Sequence, residues 1–311
     1  MAMSSTQRIQ SPLSALDRAP DWLNSEPLTA AGLRGLDVLI DFWTYSCVNW
    51  LRTLPYLTAW HEKYRDRGLV VIGVHAPEFG FEHDLDNVRR AAVELSIDYP
   101  VVIDNEFAIW RAFDNHYWPA VYLVDCLGRG RFQHFGEGAY EETERAIQHV
   151  LGVNEATVRV DAGGLAEAAD WDTLRSPETY VGFARGDRRS RASRTSALAL
   201  NQWALTGEWS VRDEAAVLEA AAGSISYRFH ARDLNLVLEP LASGAPVRFA
   251  VRLDGQPPGD AHGLDVDASG EGTLTEPRMY QLIRQHGAIV PRTFEITFLD
   301  PGARAYVFTF G

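Results

Sequence analysis

Residues 36–56 read LDVLIDFWTYSCVNWLRTLPY and combine a strand, a short polar turn and the start of a helix. The first eight letters are rich in aliphatic, β-branched and aromatic residues, which is typical of a strand. From Val48 onward apolar residues recur at helical spacing, and this pattern predicts a helix over 48–64. Cys47 is therefore expected between the end of a strand and the beginning of a helix.

The sequence on either side continues an alternation of strands and helices. Apolar runs predict further strands at 69–74, 120–125 and 131–135, and helical spacing recurs at 85–95 and 141–151. Strand, helix and strand followed by a hairpin and a final helix predict a mixed sheet with helices on both faces. This order is that of thioredoxin.

The pattern changes after Gly152. Residues 153–178 are rich in Gly, Ala and Asp with weak periodicity, and we interpret them as a linker. Residues 179–311 contain short alternating runs separated by turn residues, which predict an all-β sandwich. The expected organisation is an α/β domain at 12–152, a linker at 153–178 and a sandwich domain at 179–311.

Composition excludes several classes of function. The formal net charge of −13 argues against a general nucleic-acid binder and against a binder of anionic membranes. The longest apolar run, 69–74, is too short to span a bilayer, and the N-terminal residues contain no apolar segment typical of a signal peptide. Two cysteines give no disulfide framework, so we expect a cytoplasmic protein.

No metal site or cofactor is expected either. The nine histidines are scattered, and the chain has no H-x-x-x-H motif and no second cysteine at ligand spacing. Oligomeric state is left open by the sequence.

Cys47 is the candidate nucleophile. Unpaired amide N–H groups and the positive end of the helix dipole stabilise a thiolate at a helix N-terminus. Trp118 and Pro119 precede a later strand, and a cis proline there would leave a backbone edge open to an extended peptide. Thr44, Asn49, His75 and Glu78 are candidates for tuning the thiol. The alternative interpretation is a lone cysteine that packs as a small apolar residue.

Several long motifs resemble the thioredoxin-like domain of DipZ-type proteins, relatives of the TlpA redoxins. These are DFWTYSCVNWLRTLPY (41–56), VIGVHAPEF (71–79), YWPA (117–120) and HFGEGAYEET (134–143). The second half resembles the domain that follows there, through NQWALTGEW (201–209), FHARDL (229–234) and FLDPG (298–302). The resemblance implies a thioredoxin-like fold, a cis Trp118–Pro119 bond, thiol–disulfide oxidoreductase activity and a C-terminal jelly roll like a carbohydrate-binding module.

One departure from that family changes the expected chemistry. The C-x-x-C motif is replaced by C-V-N-W, so the resolving cysteine corresponds to Trp50. Without a second thiol, Cys47 can form a mixed disulfide but cannot release it alone. Cys126 lies seven residues beyond Pro119, about 20 Å along a strand, which is too far for a disulfide with Cys47.

Three functions remain open at this point. Cys47 could react with a disulfide-containing protein and be released by an external low-molecular-weight thiol. It could instead be the cysteine of a one-cysteine peroxidase, where Thr44 matches part of the peroxiredoxin pattern. Finally, the domain could be catalytically silent and hold a partner as a scaffold.

Overall fold

The computed structural model describes residues 12–186, 189, 198–241 and 245–311. The chain divides into two compact units, the first ending at Ala162 and the second beginning at Gly163. This division falls inside the stretch 153–178 that the sequence predicts as a linker.

The first unit contains a six-stranded mixed sheet. Its strands are β1 (Trp22–Leu23), β2 (Asp37–Trp43), β3 (Leu69–His75), β4 (Val101–Ile103), β5 (Ala120–Val124) and β6 (Gly130–Phe135). They lie in the order β1-β4-β3-β2-β5-β6. The pairs β2–β3 and β3–β4 are parallel, whereas β2–β5, β5–β6 and β1–β4 are antiparallel.

Four α-helices belong to the described part of the same unit. They are α1 (Val48–Tyr64), α2 (Leu85–Glu94), α3 (Ala108–Ala112) and α4 (Tyr140–Leu151). The bounds of α1 are those that the apolar spacing predicts. Asp84 caps α2 by accepting a hydrogen bond from the backbone of Asp86 at 2.8 Å, as its side chain and position favour.

The central strand β2 determines where the segment with Cys47 lies. Every residue of β2 is buried, because β3 and β5 flank the strand and side chains pack on both faces of the sheet. Val38, Ile40 and Phe42 belong to one apolar cluster, and Phe42 makes edge-to-face contacts with three other rings. The chain leaves this fully buried strand at Trp43, four residues before Cys47.

The second unit is an all-β sandwich. Its strands are β7 (Thr179–Tyr180), β8 (Trp203–Thr206), β9 (Trp209–Val211), β10 (Ala216–Leu218), β11 (Ser224–Phe229), β12 (Asp233–Pro240), β13 (Val247–Leu253), β14 (Glu271–Leu274), β15 (Arg278–Arg284), β16 (Arg292–Phe298) and β17 (Ala303–Phe310). One sheet has the order β15-β12-β17-β10-β9, with β7 paired to β17, and the other has the order β14-β13-β16-β11-β8. A single buried cluster takes side chains from both sheets, such as Leu236 and Phe294, so the sheets pack face to face.

Together the two units confirm the predicted fold class, a thioredoxin-like α/β domain followed by a sandwich of antiparallel sheets. In the described part of the chain, none of the helices combines the length and the apolar character needed to cross a membrane.

Candidate functional site

Cys47 is the N-cap residue of α1. Its backbone is extended, with φ −82° and ψ 113°, and its carbonyl accepts the first helical hydrogen bond from Leu51 at 3.0 Å. The turn before it is closed by a hydrogen bond from the Cys47 amide to the Thr44 carbonyl at 3.3 Å. The thiol is partly exposed and lies at the positive end of a 17-residue helix. A helix N-terminus in general favours the thiolate form of a cysteine, and Cys47 is only partly covered by the rest of the domain.

The residues predicted as a substrate edge lie next to this thiol. The Trp118–Pro119 peptide bond is cis, and the Trp118 carbonyl oxygen lies 4.0 Å from Cys47 Sγ. The Trp118 indole N–H donates to the Ala76 carbonyl at 3.0 Å, and the Ala76 amide donates to the Trp43 carbonyl at the same distance. These bonds connect the loop before Pro119 to the end of the central strand and so fix the carbonyl that faces the thiol.

Trp50 points into the core of the domain. Its side chain is fully buried, stacks on Trp43 with ring centroids 4.3 Å apart, and donates its indole N–H to Asp41 Oδ2 at 2.9 Å. Cys47, three residues earlier, keeps an exposed fraction. The indole therefore fills the space beneath the start of α1 and makes a hydrogen bond there. It occupies the position where the resemblance implies a second thiol.

Asp41 is a buried carboxyl group in the middle of an apolar strand. Burial raises the pKa of Asp41 to about 7, and the hydrogen bond from Trp50 acts against that shift. Its second oxygen, Oδ1, has no hydrogen-bond partner among the described residues. Asp41 therefore changes its charge near neutral pH, within the layer that supports the Cys47 turn.

A second buried carboxyl group, Glu82, contacts the residue before Cys47. Its Oε1 accepts a hydrogen bond from the Ser46 hydroxyl at 2.5 Å, and its Oε2 accepts from the amides of Glu78 and Phe79 at 2.6 and 3.0 Å. Burial raises the pKa of Glu82 to about 7, the hydroxyls of Ser46 and Thr44 lower it, and the charge of Glu78 raises it. Asp41 and Glu82, two carboxyl groups that both have a pKa of about 7, thus lie near the turn that precedes α1.

His75, a predicted tuning residue, is an uncharged ring in an aromatic layer. It lies opposite Trp43 in the parallel pairing of β2 and β3, contacts that indole edge-on at 4.9 Å and stacks on Tyr45 at 5.8 Å. Burial lowers the pKa of His75 to about 3, and neither ring nitrogen has a hydrogen-bond partner among the described residues. Any effect of His75 on Cys47 at neutral pH would therefore act through packing, because the ring has no charge.

The remaining candidates surround the same turn. Thr44 is fully buried beside Glu82, close enough to favour its ionised form, although Thr44 Oγ1 has no hydrogen-bond partner among the described residues. Asn49 lies in the first turn of α1, where its carbonyl accepts the hydroxyl of Thr53 at 3.0 Å. Glu78 is partly buried and reaches Glu82 through its backbone amide.

Cys126 lies at the opposite end of the central strand. Its amide donates to Asp37 Oδ1 at 2.9 Å, and Asp37 is the first residue of β2, whereas Cys47 follows the last. A seven-residue strand is about 20 Å long. The exposed thiol of Cys126 is thus placed far from Cys47, as the geometric argument from the sequence expects.

Asp41, Ser46 and Glu82 belong to the site but were not expected there from the sequence. Asp41 could have been found, because a carboxyl inside an otherwise apolar strand indicates a buried ionisable group. Glu82 offers no such pattern, since it lies in a polar loop and its partner Ser46 is 36 residues away. Among the described residues, no group of three His, Cys, Asp or Glu side chains could hold a metal ion.

Comparison with known proteins places this geometry in context. Residues 176–311 match the family model described as the thioredoxin-like C-terminal domain. DipZ of Mycobacterium bovis is 35% identical over 266 residues, which are 79% of this chain and 38% of DipZ. Neither structural unit alone makes up that share of the chain, so the match extends over both. The chain is a relative of the DipZ-type thioredoxin-like proteins.

The first unit has further relatives outside the DipZ type. The thiol-disulfide oxidoreductase YkuV of Bacillus subtilis is 29% identical over 148 residues, covering 48% of this chain and 99% of YkuV. The solution structure of a thioredoxin-like protein in the oxidised form is 31% identical, covers 47% of this chain and 97% of that one, and has a TM-score of 0.41. The chain spans 38% of the length of DipZ.

Proposed function

We propose that this protein carries out thiol–disulfide exchange through Cys47 and depends on an external thiol to complete the reaction. The observation that carries this proposal is the position of the thiol: it is partly exposed at the N-terminus of α1, with Sγ 4.0 Å from the Trp118 carbonyl beside cis Pro119. The similarity to proteins named thiol-disulfide oxidoreductases supports the same reaction class.

The exchange has two stages: a mixed disulfide forms on Cys47, and external thiols then reduce it. The Cys47 thiolate attacks a substrate disulfide, forms a mixed disulfide with one sulfur and releases the other as a thiolate that takes a proton. A low-molecular-weight thiol then attacks Cys47 Sγ and frees the reduced substrate. A second such thiol reduces the resulting adduct and leaves as an oxidised dimer, so two external thiols supply the two electrons.

The partner class is a disulfide-containing protein, with the external thiol as co-substrate. A substrate chain in extended conformation could pair with the backbone at Trp118 while its disulfide meets Cys47. No particular observation favours the peroxidase alternative, because Thr44 is fully buried against Glu82. A cytoplasmic location is also part of this proposal, since low-molecular-weight thiols are kept reduced there.

Reduction of a small model disulfide by glutathione, followed in the wild type, Cys47→Ser and Cys126→Ser, tests the reaction. We expect the wild type and Cys126→Ser to accelerate it, Cys47→Ser to be inactive, and intact mass to show a glutathione adduct on Cys47. A wild-type rate equal to that of Cys47→Ser would refute exchange and favour the scaffold alternative. Immunoblotting of the protein after cell fractionation tests the location: we expect it in the cytoplasmic fraction, and its presence only outside that fraction would contradict this part of the proposal.

A further inference from the structure

Glu82 connects two loops that meet at the reactive turn. Its Oε2 accepts two backbone N–H groups from its own loop, at Glu78 and Phe79, whereas its Oε1 accepts the hydroxyl of Ser46, the neighbour of Cys47. Glu82 is fully buried and Ser46 is 2% exposed, so water does not screen this contact. The carboxyl group thus holds the turn from which α1 and Cys47 begin.

The two oxygens of Glu82 differ in what they can do on protonation. Oε2 already accepts two donors, so a proton added to the carboxyl group is best placed on Oε1. The protonated Oε1 then donates to Ser46 Oγ, which reverses the direction of the 2.5 Å hydrogen bond. The hydrogen of the Ser46 hydroxyl must turn away from Glu82, within the turn that carries Cys47.

Titratable groups lie in three segments that meet near Glu82, and, after burial, Glu78 is the one whose charge raises the pKa of Glu82. Cys47 belongs to the turn before α1, His75 to the end of β3, and Glu78 and His83 to the loop of Glu82 itself. His75 is neutral at physiological pH for the reason given above. Glu82 accepts the hydroxyl of the residue next to Cys47, so a thiolate at Cys47 and a carboxylate at Glu82 would be like charges connected through Ser46, and each would disfavour the other.

We propose that Glu82 is a positioning residue for Cys47, which holds the reactive turn through Ser46 and whose charge state controls how readily the thiol ionises. The proposal rests on the proposed redox role of Cys47 and adds a regulatory partner to it. Raising the pH through neutrality ionises Glu82, because its pKa is about 7, and the new charge then opposes formation of the thiolate. The reactivity of Cys47 should therefore rise less steeply with pH than that of an isolated thiol.

The pH profile of Cys47 alkylation by iodoacetamide tests this coupling, with intact mass as the readout. Cys126→Ser and Asp41→Asn form the common background of all variants, because Asp41 also titrates near pH 7 and would add a bend of its own. We expect a profile with an additional bend near pH 7. In Glu82→Gln the bend should be absent, and alkylation at pH 7.5 should be roughly threefold to tenfold faster, as expected for a midpoint lowered by about half to one unit. In Ser46→Ala the bend should move to higher pH, because a hydrogen bond that favours the carboxylate is lost.

The matched control is Glu106→Gln, which removes the same charge from an exposed site and should leave the profile unchanged. A profile of folded Glu82→Gln that superimposes on the wild type would overturn the proposal. If that variant does not fold, carbon-13 NMR of the wild type follows the glutamate carboxyl that titrates near pH 7, before and after Cys47 is alkylated. A shift of its midpoint supports coupling, by reciprocity, and an unchanged midpoint refutes it. Alkylation requires no disulfide turnover, so this outcome is independent of the exchange assay.

Discussion

The indole N–H of Trp50 donates a 2.9 Å hydrogen bond to Asp41, and both side chains are completely buried. The two residues are nine positions apart, one in the central strand and one in the first turn of α1. Their hydrogen bond and the stacking of Trp50 on Trp43 attach α1 to the sheet. Trp50 thus has a structural role in the place where the resemblance expects a resolving thiol.

Asp41 should make stability fall as the pH rises. Its pKa in the folded chain is about 7, above the value of about 4 in an unfolded chain, so between these values the folded state holds a proton that the unfolded state has released. The resulting penalty is absent below about pH 4 and complete above about pH 7. It amounts to at most about 4 kcal/mol for a group this buried.

Urea unfolding of Asp41→Asn at pH 5 and pH 8 measures this effect. The variant should lose less stability between the two values than the wild type, because an amide does not titrate. Asp66→Asn, an exposed substitution of the same kind, is the control and should follow the wild type. Equal pH dependence in Asp41→Asn and the wild type would show that Asp41 does not carry the penalty.

Trp50→Cys should gain turnover and lose stability. A thiol three residues after Cys47, in the first turn of α1, can resolve a mixed disulfide, so release of reduced insulin should no longer need an external resolving thiol. Dithiothreitol in the assay supplies the electrons by reducing the disulfide that forms between Cys47 and the new thiol. The same change removes a buried indole from Trp43 and the donor from Asp41, which should cost about 3–5 kcal/mol.

Trp50→Ser separates these two effects, since it produces a comparable cavity without a thiol. It should show the same loss of stability in urea and no gain in turnover. If Trp50→Cys folds but does not reduce insulin faster than Trp50→Ser, then more than the resolving thiol has been lost from the site.

Local patterns made most of the fold predictable. The helix 48–64 has the predicted bounds, and the strands 69–75 and 130–135 differ from the predicted ones by one residue, because the apolar pattern of each is clear along its length. The strands at 179–180, 209–211 and 216–218 were missed because two or three residues contain no periodicity. Their pairing partners, supplied by distant parts of the chain, decide that they are extended.

The site was predictable only in part, for the same reason. Cys47 and Trp118 follow from a strand end and from a proline, which are local features, whereas Glu82 becomes important only when two loops meet. His75 has the residue type of a catalytic base, but three-dimensional packing buries it and keeps it neutral. Burial of an ionisable group depends on the tertiary structure and has no reliable pattern in one sequence.

A buried ion pair should make Arg52 essential for stability. Arg52 Nη1 lies 2.9 Å from Glu137 Oε1, with side chains only 3% and 7% exposed, and it connects α1 to the loop before α4. Arg52→Ala would leave Glu137 buried without its counter-charge, at a cost of about 3–5 kcal/mol. Arg52→Met combined with Glu137→Leu removes both charges and should recover most of that loss in urea unfolding. An Arg52→Ala variant whose free energy of unfolding lies within about 1 kcal/mol of the wild-type value would contradict this prediction.

Gly73 should not tolerate even a methyl group, because the Trp43 ring lies against it. A Cβ atom at this position would lie 2.8 Å from Trp43 Nε1 and 3.1 Å from Tyr99 Cε2, both on fully buried rings. Overpacking of this kind costs about 1–3 kcal/mol, and displacement of Trp43 would also disturb its stacking with Trp50. Gly130→Ala is the matched control, since that glycine also lies in a strand and a Cβ there would meet nothing within 4 Å. Thermal unfolding should therefore show a lower midpoint for Gly73→Ala and an unchanged one for Gly130→Ala, and equal midpoints would mean that the aromatic layer under Cys47 yields without cost.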